Sequence, residues 1–415
     1  MGMDVKTIIP LWASWREITI QIDSNRSLPT IDIIWLADNT VKESRERLRA
    51  SFRQCDVEIP PMKFIINMAP SDIRKSGTLF DIPIAAWLLL HILGDKAHFK
   101  DIIAVSIFAG ELGLDGSSRH IYGVLPMVVA AKKLWYTHFF IPLDNVPEVI
   151  YIPDIIVYWV AHFSNIVSMF KEGIQIPRAE LRTNDSIRMV ASDDSYFSSI
   201  QGHERAKRWL AICASGFHNA LMVWPPWTGK SMLAKSMKFL LPPMSFDETV
   251  EVSQMYSLVG KLDKDQPLIR QRPFRSIHHT ASKISIIGGG RQLLPWEISL
   301  AHNGLLFLDE IQEFNRDVLE SLRQPIEEKQ VTISRAQWSI SYPAKCMILW
   351  AMNPCPCGYY KDSMRRCTCS PIAIKRYQSK ISGPLLDRFD MVLEVIRQDI
   401  AWTETSSTSA AHSTQ

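Results

Sequence analysis

The chain has 415 residues, a length typical of two or three domains. Its 47% hydrophobic and 21% charged residues are ordinary for a globular protein, and its net charge of +3 argues neither for nor against nucleic acid as a partner. No apolar run is long enough to span a membrane, and the N-terminal stretch lacks the apolar segment and cleavage site of a signal peptide. The composition therefore predicts a cytoplasmic protein with no membrane contact.

Residues 1–175 predict a first domain of mixed α/β or α+β structure. Hydrophobic periodicity distinguishes its two kinds of element. The predicted strands are two runs within 16–36, then 63–70 and 137–144, and residues 102–116 are predicted to form a strand and a turn. The predicted helices are 41–54, 81–93 and 124–134. The charged stretch KESRERLR in the first helix is most simply a solvated face. The polar residues 176–200 predict a linker.

From residue 201 the pattern changes to apolar strands separated by helices, which predicts a second domain over 201–396. The elements predicted there are a helix at 201–215 and strands at 220–223, 304–310 and 344–354. Strands that alternate with helices favour a parallel α/β sheet whose site lies at the strand ends. Residues 397–415 are small and polar and predict a disordered tail.

The stretch LMVWPPWTGKSML predicts most of a phosphate-binding loop. The full pattern is G-x-x-x-x-G-K-[ST], whose glycines let backbone N–H groups point at the phosphates. Lys230 would bind the β- and γ-phosphates and Ser231 would ligate Mg²⁺, but Trp224 occupies the first glycine position. The candidate nucleotide-binding residues are Trp224, Pro225, Pro226, Trp227, Thr228, Gly229, Lys230 and Ser231. A short GKS string can arise by chance, yet the strand before it and the helix after it favour a nucleotide site.

A second motif, LLFLDE, ends an apolar strand in two acids. Asp309 would hold Mg²⁺ and Glu310 would polarise the attacking water, whereas the alternative is a solvated acidic turn. Asn353 follows the next apolar strand and could orient that water. Arg388, in GPLLDRFD, lies where a ring-forming ATPase presents an arginine to its neighbour's γ-phosphate. A surface ion pair is the simpler interpretation of that arginine when it is taken alone.

Four of the seven cysteines form two C-x-C pairs separated by nine residues: Cys355, Cys357, Cys367 and Cys369. Four thiolates suit Zn²⁺, and a reducing compartment favours thiol or metal chemistry over disulfides. Paired zinc cysteines usually have at least two residues between them, so a free-thiol loop that covers the site is an open alternative. The stretch RPFRSIHH, residues 272–279, could touch DNA, a neighbouring subunit or phosphate, or could be structural.

These motifs resemble those of the magnesium-chelatase-like AAA+ ATPases, and among them the ComM/YifB family. In the second domain the resemblance rests on RPFRSIHHTAS, GGGRQLLPWEISLAHNGLLFLDE, VTISRAQWSISYPAK, AMNPCPCGYY and ISGPLLDRFD. In the first domain it rests on LPTIDIIWLADNTVKESRER, INMAPSDIRKSGTLFDIPIAA and AGELGLDGSSRHIYGVLP. That first domain has, in the family, the fold of the Lon protease catalytic domain. The resemblance extends from about residue 11 to residue 396.

The resemblance implies an ATP-driven hexameric ring that acts on DNA, in branch migration during recombination of incoming DNA, with ATP and Mg²⁺ as cofactors. The roles it implies are phosphate or metal contact for Lys230, Ser231 and Asp309, and catalysis for Glu310, Asn353 and Arg388. One alternative is a magnesium-chelatase subunit that drives metal insertion into a porphyrin. Another is a non-catalytic scaffold, and a peptidase is a more remote one.

Two features depart from the family pattern. KSGTLFD places Leu79 near the position of the Lon-type serine, and the serine–lysine pair is not evident, so peptidase activity is not expected. The family continues into a helical lid that carries another ATP-sensing arginine. This chain passes from IRQDIAW into the polar tail, so the lid is expected to be missing.

A third departure is tryptophan where glycine is expected. The chain has 13 Trp and 18 Gly, against an average glycine share of about 7%. The expected glycine positions are Trp12, Trp15, Trp35, Trp87, Trp135, Trp159, Trp224, Trp227, Trp296 and Trp338, and the expected small-residue positions are Trp209 and Trp350. Because one replacement dominates while GKS and LDE stay intact, we hypothesise that UGA codons, which some bacterial lineages read as glycine, are written as tryptophan. Taken literally, the indoles predict poor folding and no ATP binding.

Overall fold

The computed structural model describes residues 5–11, 14–27, 30–34, 39–70, 79–182, 195–226, 229–263, 265–289, 294–335, 338–362 and 365–395. Within these ranges the elements form two groups, one before residue 182 and one after residue 195, each with buried apolar cores. The predicted tail at 397–415 lies outside the described residues. None of the helices in this part of the chain is long and apolar enough to cross a membrane.

The strands are β1 (Val5–Leu11), β2 (Ser14–Asn25), β3 (Thr30–Ile34), β4 (Lys63–Ala69), β5 (Ser106–Phe108), β6 (Glu111–Leu112), β7 (Ser118–Arg119), β8 (His138–Pro142), β9 (Ile156–Val160), β10 (Ala220–Val223), β11 (Phe274–Ile277), β12 (Leu305–Leu308), β13 (Gln330–Arg335), β14 (Trp338–Pro343), β15 (Met347–Met352) and β16 (Met391–Glu394). The helices are α1 (Asn39–Gln54), α2 (Asp81–Leu93), α3 (Val124–Lys133), α4 (Val146–Val149), α5 (Phe163–Val167), α6 (Ser195–Ser199), α7 (Glu204–Gly216), α8 (Lys230–Ser236), α9 (Phe246–Leu258), α10 (Lys283–Ile287), α11 (Glu297–Leu300), α12 (Arg316–Ser321), α13 (Arg323–Glu328), α14 (Pro371–Gln378) and α15 (Gly383–Leu386).

The first group contains a mixed sheet of order β1-β2-β4-β3 and a parallel sheet of order β5-β8-β9. The apolar helix α2 is buried along most of its length, because hydrophobic residues surround its axis. The three helices predicted here are confirmed to within two residues at each end. Within 102–116 the expected strand begins later than predicted, since Lys100–Val105 form a 3₁₀ helix and Ser106–Phe108 join the parallel sheet. The expected turn is present, where the N–H of Gly116 donates to the Gly113 carbonyl at 3.0 Å.

A buried ion pair joins α1 to α2. Arg47 Nε donates to Asp81 Oδ2 at 2.7 Å, and Ser44 Oγ donates to Asp81 Oδ1 at 2.7 Å. Asp81 is fully buried, and this burial raises the pKa of its carboxyl against the opposing effect of Arg47. The expectation that KESRERLR is only a solvated helix face is therefore wrong at Arg47, which anchors the helix to its neighbour.

The second group is built on a five-stranded parallel sheet of order β11-β12-β15-β10-β16. Numbered by chain order within this sheet, the strands run 2-3-4-1-5. All residues of β12 and β15 are buried, as expected of parallel strands covered on both faces. The register pairs Val223 with Met352, so the residues that follow β10 and β15 emerge together at the carboxyl edge. That edge is where a parallel sheet places its ligand site.

The two groups touch through α3 and α9. The N–H of Gly123 donates to the Ser257 carbonyl at 3.1 Å, and Ser257 Oγ donates to Glu148 Oε2 at 2.7 Å. Within the expected linker, α6 brings the buried side chain of Phe197 into the core of the second group. Residues 183–194 of that linker lie outside the described part of the chain.

The C-terminus of α3 has the hydrogen bonds of a Schellman motif. The N–H of Trp135 donates to the Lys132 carbonyl at 3.0 Å, and the N–H of Tyr136 donates to the Ala131 carbonyl at 3.2 Å. Trp135 has φ +68° and its side chain is 88% exposed. Glycine is the usual residue here, because a left-handed backbone costs other residues about 1–2 kcal/mol. The local structure at Trp135 is thus one that favours glycine, as the sequence hypothesis expects.

Candidate nucleotide site

The second half of the phosphate-loop stretch lies at the carboxyl edge of β10. Gly229 has φ +86°, which glycine adopts without strain, and α8 begins at the next residue. Lys230 Nζ donates to Asn353 Oδ1 at 2.7 Å, which joins α8 to the end of β15. Burial lowers the pKa of Lys230, while Asp309 and Glu310 act to raise it. The amine therefore lies among the polar groups that the sequence assigned to a triphosphate.

The hydroxyl and carboxylate predicted to ligate Mg²⁺ lie side by side. Ser231 Oγ donates to Asp309 Oδ2 at 3.4 Å. Neighbouring ligands of an octahedral Mg²⁺ at 2.0–2.1 Å lie about 3 Å apart. Ser231 is exposed and Asp309 is half-buried, so the ion can keep its waters and reach both groups. The two residues fit one hydrated Mg²⁺.

Glu310 has a left-handed backbone directly after β12. Its φ is +52°, and its N–H donates to Asp309 Oδ1 at 3.0 Å. Such a conformation costs about 1–2 kcal/mol and is concentrated at functional sites. His279 Nδ1 lies 3.8 Å from Glu310 Oε2, because β11 pairs Ile277 with Leu308. Sequence reasoning left His279 open among several roles, since the motif does not reveal which strand end it joins.

Two further side chains hold Asn353. Gln312 Nε2 donates to the Asn353 carbonyl at 3.2 Å, and the Tyr377 hydroxyl hydrogen-bonds the Asn353 side chain. Burial raises the pKa of Tyr377 to about 12, so its phenol is neutral at ordinary pH. Sequence reasoning missed Gln312 and Tyr377, because no spacing in the chain indicates that α14 folds back onto the end of β15.

The first half of the loop has a different environment. The Trp224 indole is fully buried in the apolar core beneath the sheet edge, and its backbone N–H donates to the Met352 carbonyl at 2.9 Å. Its Nε1 has no hydrogen-bond partner among the described residues. The Trp224 side chain therefore points into the core, and the assignment of this position to the nucleotide-binding loop stays a prediction. Trp227 and Thr228 lie outside the described residues.

Arg388 lies at the opposite edge of the parallel sheet. β16 runs parallel to β10 from the pair Met391–Ala220 onward, and Arg388 precedes this pair. Its guanidinium is 41% exposed and forms an ion pair with Glu327. The structure does not bring Arg388 to the site of its own chain, which is the arrangement required of a residue that serves a neighbouring subunit. The ion pair with Glu327 also agrees with the simpler interpretation of Arg388 as a residue of a surface ion pair.

All four cysteines of the two C-x-C pairs converge next to Asn353. Their sulfur atoms lie within 4.8 Å of one another, and Cys355 is buried while the other three are half-buried. Burial acts to raise the pKa of Cys357, but backbone N–H groups of Tyr359 and Thr368 bring it down to about 6. The cluster has the ligand number and type of a zinc site.

The two arginines of RPFRSIHH are held by their own chain. Arg272 Nη2 donates to Glu248 Oε2 at 3.1 Å, and Arg275 donates to both carboxylate oxygens of Glu297, at 2.5 and 2.6 Å. Arg272 and Arg275 therefore have the structural role that was one of the alternatives for this stretch. His279 of the same stretch faces the candidate site.

The strand order and the polar edge of the second sheet are those of a P-loop AAA+ type domain. Comparison with sequence families indicates the same class. The family described as "Magnesium chelatase, subunit ChlI" matches residues 196–402, and "Subunit ChlI of Mg-chelatase" matches residues 20–145. The chain belongs to the magnesium-chelatase-like family of AAA+ ATPases.

Within that family the chain belongs with YifB and ComM, as its motifs predicted. It is 38% identical to YifB of Salmonella typhimurium over 380 residues, which cover 91% of this chain and 72% of that protein. It is 37% identical to the competence protein ComM of Haemophilus influenzae over 380 residues, 91% of this chain and 73% of that protein. A more distant match is the DNA replication licensing factor Mcm2 of Drosophila melanogaster, 27% identical over 222 residues, 50% of this chain and 21% of that protein.

Proposed function

We propose that this protein is an ATP-hydrolysing ring motor that acts on DNA. The observation that carries the proposal is the 2.7 Å contact between Lys230 Nζ and Asn353 Oδ1, with the acids Asp309 and Glu310 at the same sheet edge. The Asn353 amide oxygen accepts from the Lys230 ammonium, and a phosphoryl oxygen would take over this role in a nucleotide complex. Binding of a nucleotide exchanges one acceptor for the other.

Each side chain has a defined task in hydrolysis. Lys230 neutralises charge on the β- and γ-phosphoryl oxygens, and Ser231 and Asp309 hold the metal. Mg²⁺, when bound, supplies positive charge to the same oxygens. Glu310 orients the attacking water and accepts its proton, and Asn353 keeps that water in line with the scissile bond.

The ring and the DNA are supported by different observations. Arg388 lies on the opposite edge of the sheet and is partly exposed, which supports the proposal that it acts on the γ-phosphate of a neighbouring subunit in a hexamer. A DNA substrate is supported by relatives whose names state competence or DNA replication, ComM and Mcm2. Branch migration during recombination of incoming DNA is the form of this activity that we propose.

A second candidate function is that of a magnesium-chelatase ATPase subunit, which the descriptions of both matching families favour. A third is a non-catalytic scaffold, which the buried Trp224 indole favours. One experiment on the natural protein distinguishes the three candidate functions. ATP hydrolysis is measured for the protein alone, with branched DNA, and with a porphyrin and the remaining chelatase subunits. We expect hydrolysis that branched DNA stimulates. Hydrolysis coupled only to metal insertion would select the second function, and no nucleotide binding would select the third.

A further inference from the structure

Three of the cysteine sulfurs have the spacing of ligands on a single tetrahedral ion, and the fourth, Cys369 Sγ, lies within 4.8 Å of each of them. The Sγ–Sγ distances are 3.4 Å for Cys355–Cys357, 3.7 Å for Cys355–Cys367 and 3.6 Å for Cys357–Cys367. Four sulfurs bound to zinc at 2.3 Å lie about 3.8 Å apart. A disulfide would bring one pair to about 2.05 Å, and an iron–sulfur cluster arranges its thiolates around several iron atoms. The geometry therefore fits zinc better than either alternative.

The surroundings of the cluster suit a site with net negative charge. The loop between the two C-x-C pairs carries three cations, Lys361, Arg365 and Arg366, and one acid, Asp362, so its net charge is positive. Arg365 Nη1 donates to the Tyr359 hydroxyl at 2.7 Å, which keeps this cation on the turn that follows the first pair. Four thiolates around Zn²⁺ leave excess negative charge, and these groups offset it.

The turn that follows Cys355 packs directly on the phosphate loop. The N–H of Gly358 donates to the Cys355 carbonyl at 2.9 Å and closes the turn. A Cβ at position 358 would lie only 2.7 Å from Cδ of Pro226, so the Pro226 ring packs on the Gly358 backbone as closely as a glycine allows. Movement of the cysteine turn is thereby transmitted to the loop that would carry the triphosphate.

The second C-x-C pair leads back to Asn353. Ser370 follows the pair and caps α14, where its Oγ accepts the N–H of Ala373. At the other end of α14, Gln378 Nε2 donates to the Pro354 carbonyl at 3.1 Å, and Tyr377 bonds Asn353. The chain thus leaves Asn353, passes through all four cysteines, and returns to Asn353.

We propose that the four cysteines bind one structural zinc ion, and that this ion holds Asn353 and the phosphate loop in their relative positions. The ion closes the segment between β15 and α14 at its two C-x-C pairs. Metal binding contributes folding free energy to such short segments. Asn353 is then fixed from both sides, by the strand before it and by the metal-closed loop after it. The positioning role rests on the proposed nucleotide site, whereas zinc binding does not.

Metal content tests the zinc site. We expect about one zinc per chain when the full protein is purified without chelator and analysed by mass spectrometry of its metals. Cys369→Ser removes a ligand and should weaken zinc binding by more than the about 10- to 100-fold typical of outer-shell changes, whereas Cys369→His should retain the metal, since three cysteines and one histidine form a common zinc site. Cys55→Ser, at a free and half-buried cysteine directly after α1, is the matched control and should retain full zinc.

Three results would overturn the site. They are iron with acid-labile sulfide, disulfides among the four cysteines after rapid thiol blocking, and a reduced protein that holds neither zinc nor added Co²⁺. A tetrathiolate cobalt absorption band in the last experiment would support the site even if purification had removed the zinc.

Hydrogen exchange tests the positioning role without ATP hydrolysis. When zinc is removed by chelation, the amide of Trp224, bonded to the Met352 carbonyl, should exchange at least about tenfold faster, and so should the amide of Gly358. Amides of α1 should not change. Faster exchange confined to residues 359–369 would overturn the positioning role and leave the zinc site intact. Because neither measurement requires ATP turnover, failure of the proposed ATPase would be recognised separately.

Discussion

The two halves of the phosphate loop differ in how well their residues match the phosphate-binding pattern. The second half has the left-handed Gly229, a lysine bonded to Asn353, and a serine beside Asp309. The first half begins with Trp224, whose indole lies in the core and whose Nε1 has no partner among the described residues. The groups that would act on ATP are therefore in place, while the loop lacks the glycine that lets its backbone surround a phosphate.

Other tryptophans in the chain are also poorly matched to their surroundings. Among the residues that the structure describes, the buried Nε1 atoms of Trp87, Trp224 and Trp350 have no hydrogen-bond partner. A buried indole usually finds such a partner, and each unpaired N–H costs about 1–3 kcal/mol. Trp135 has the opposite problem, an almost fully exposed ring on a backbone suited to glycine. These four positions are poorly matched to tryptophan, whereas the catalytic candidates are well matched to each other, which favours the codon hypothesis.

The largest effect should come from restoring the first half of the loop. In the literal chain, which carries every tryptophan as written, the double substitution Trp224→Gly and Trp227→Gly should raise ATP turnover on the order of 10³-fold or more. Backbone N–H groups can then stabilise the phosphates in the transition state. Steady-state hydrolysis measures the gain. Trp135→Gly is the matched control, since it makes the same change far from the site and should leave turnover unchanged. If the literal chain already hydrolyses ATP as fast as the double variant, the loop comparison is wrong.

A charge-neutral change should separate binding from chemistry in the glycine-restored chain. Glu310→Gln should lower kcat by about 100-fold and leave ATP affinity within a few-fold, because the amide can no longer accept a proton from water. Isothermal titration with ATP and steady-state rates give the two quantities. Glu328→Gln, at the exposed end of α13, should change neither. A loss of affinity as large as the loss of rate would place Glu310 among the binding groups.

A smaller effect should follow from the titration of Lys230. Burial lowers its pKa from the usual lysine value, and the charged form is the one that binds phosphate. ATP affinity should therefore be constant below that pKa and fall as pH rises through it, by about tenfold per pH unit. Titrations of the glycine-restored chain at increasing pH give the profile. In Lys230→Arg the alkaline decline should disappear, whatever the absolute affinity, and a decline that persists there would belong to another group.

Much of the candidate site could be predicted from sequence because its residues follow apolar strands. Lys230, Asp309 and Asn353 each follow a strand that is visible in the sequence as an apolar run. Parallel strands bring their carboxyl ends to one edge of the sheet. The roles of His279, Gln312 and Tyr377 could not be predicted. Each depends on which element lies beside which, and this is decided by tertiary packing.

The errors in the fold prediction have similar causes. The apolar run that begins at Ile102 was expected to form a strand from its start, yet residues 102–105 belong to a 3₁₀ helix and the strand is Ser106–Phe108, because a short apolar run does not distinguish the two. Arg47 was assigned to solvent, since the sequence of α1 gives no sign of the buried Asp81 on the next helix. The burial of the Trp224 side chain was also unexpected, because a loop pattern specifies backbone shape and not where a misplaced ring can go.

The smallest effect isolates the backbone cost of one tryptophan. Trp135→Gly should stabilise the protein by about 1 kcal/mol, because glycine adopts the left-handed conformation after α3 without strain. Trp135→Ala is the matched control: it also removes the exposed ring, but its Cβ keeps the strain, so it should gain less. Urea unfolding monitored by circular dichroism measures both. Equal stability of the two variants would mean that the exposed ring, and not the backbone, makes tryptophan unfavourable here, and the argument for glycine at this position would lose its physical basis.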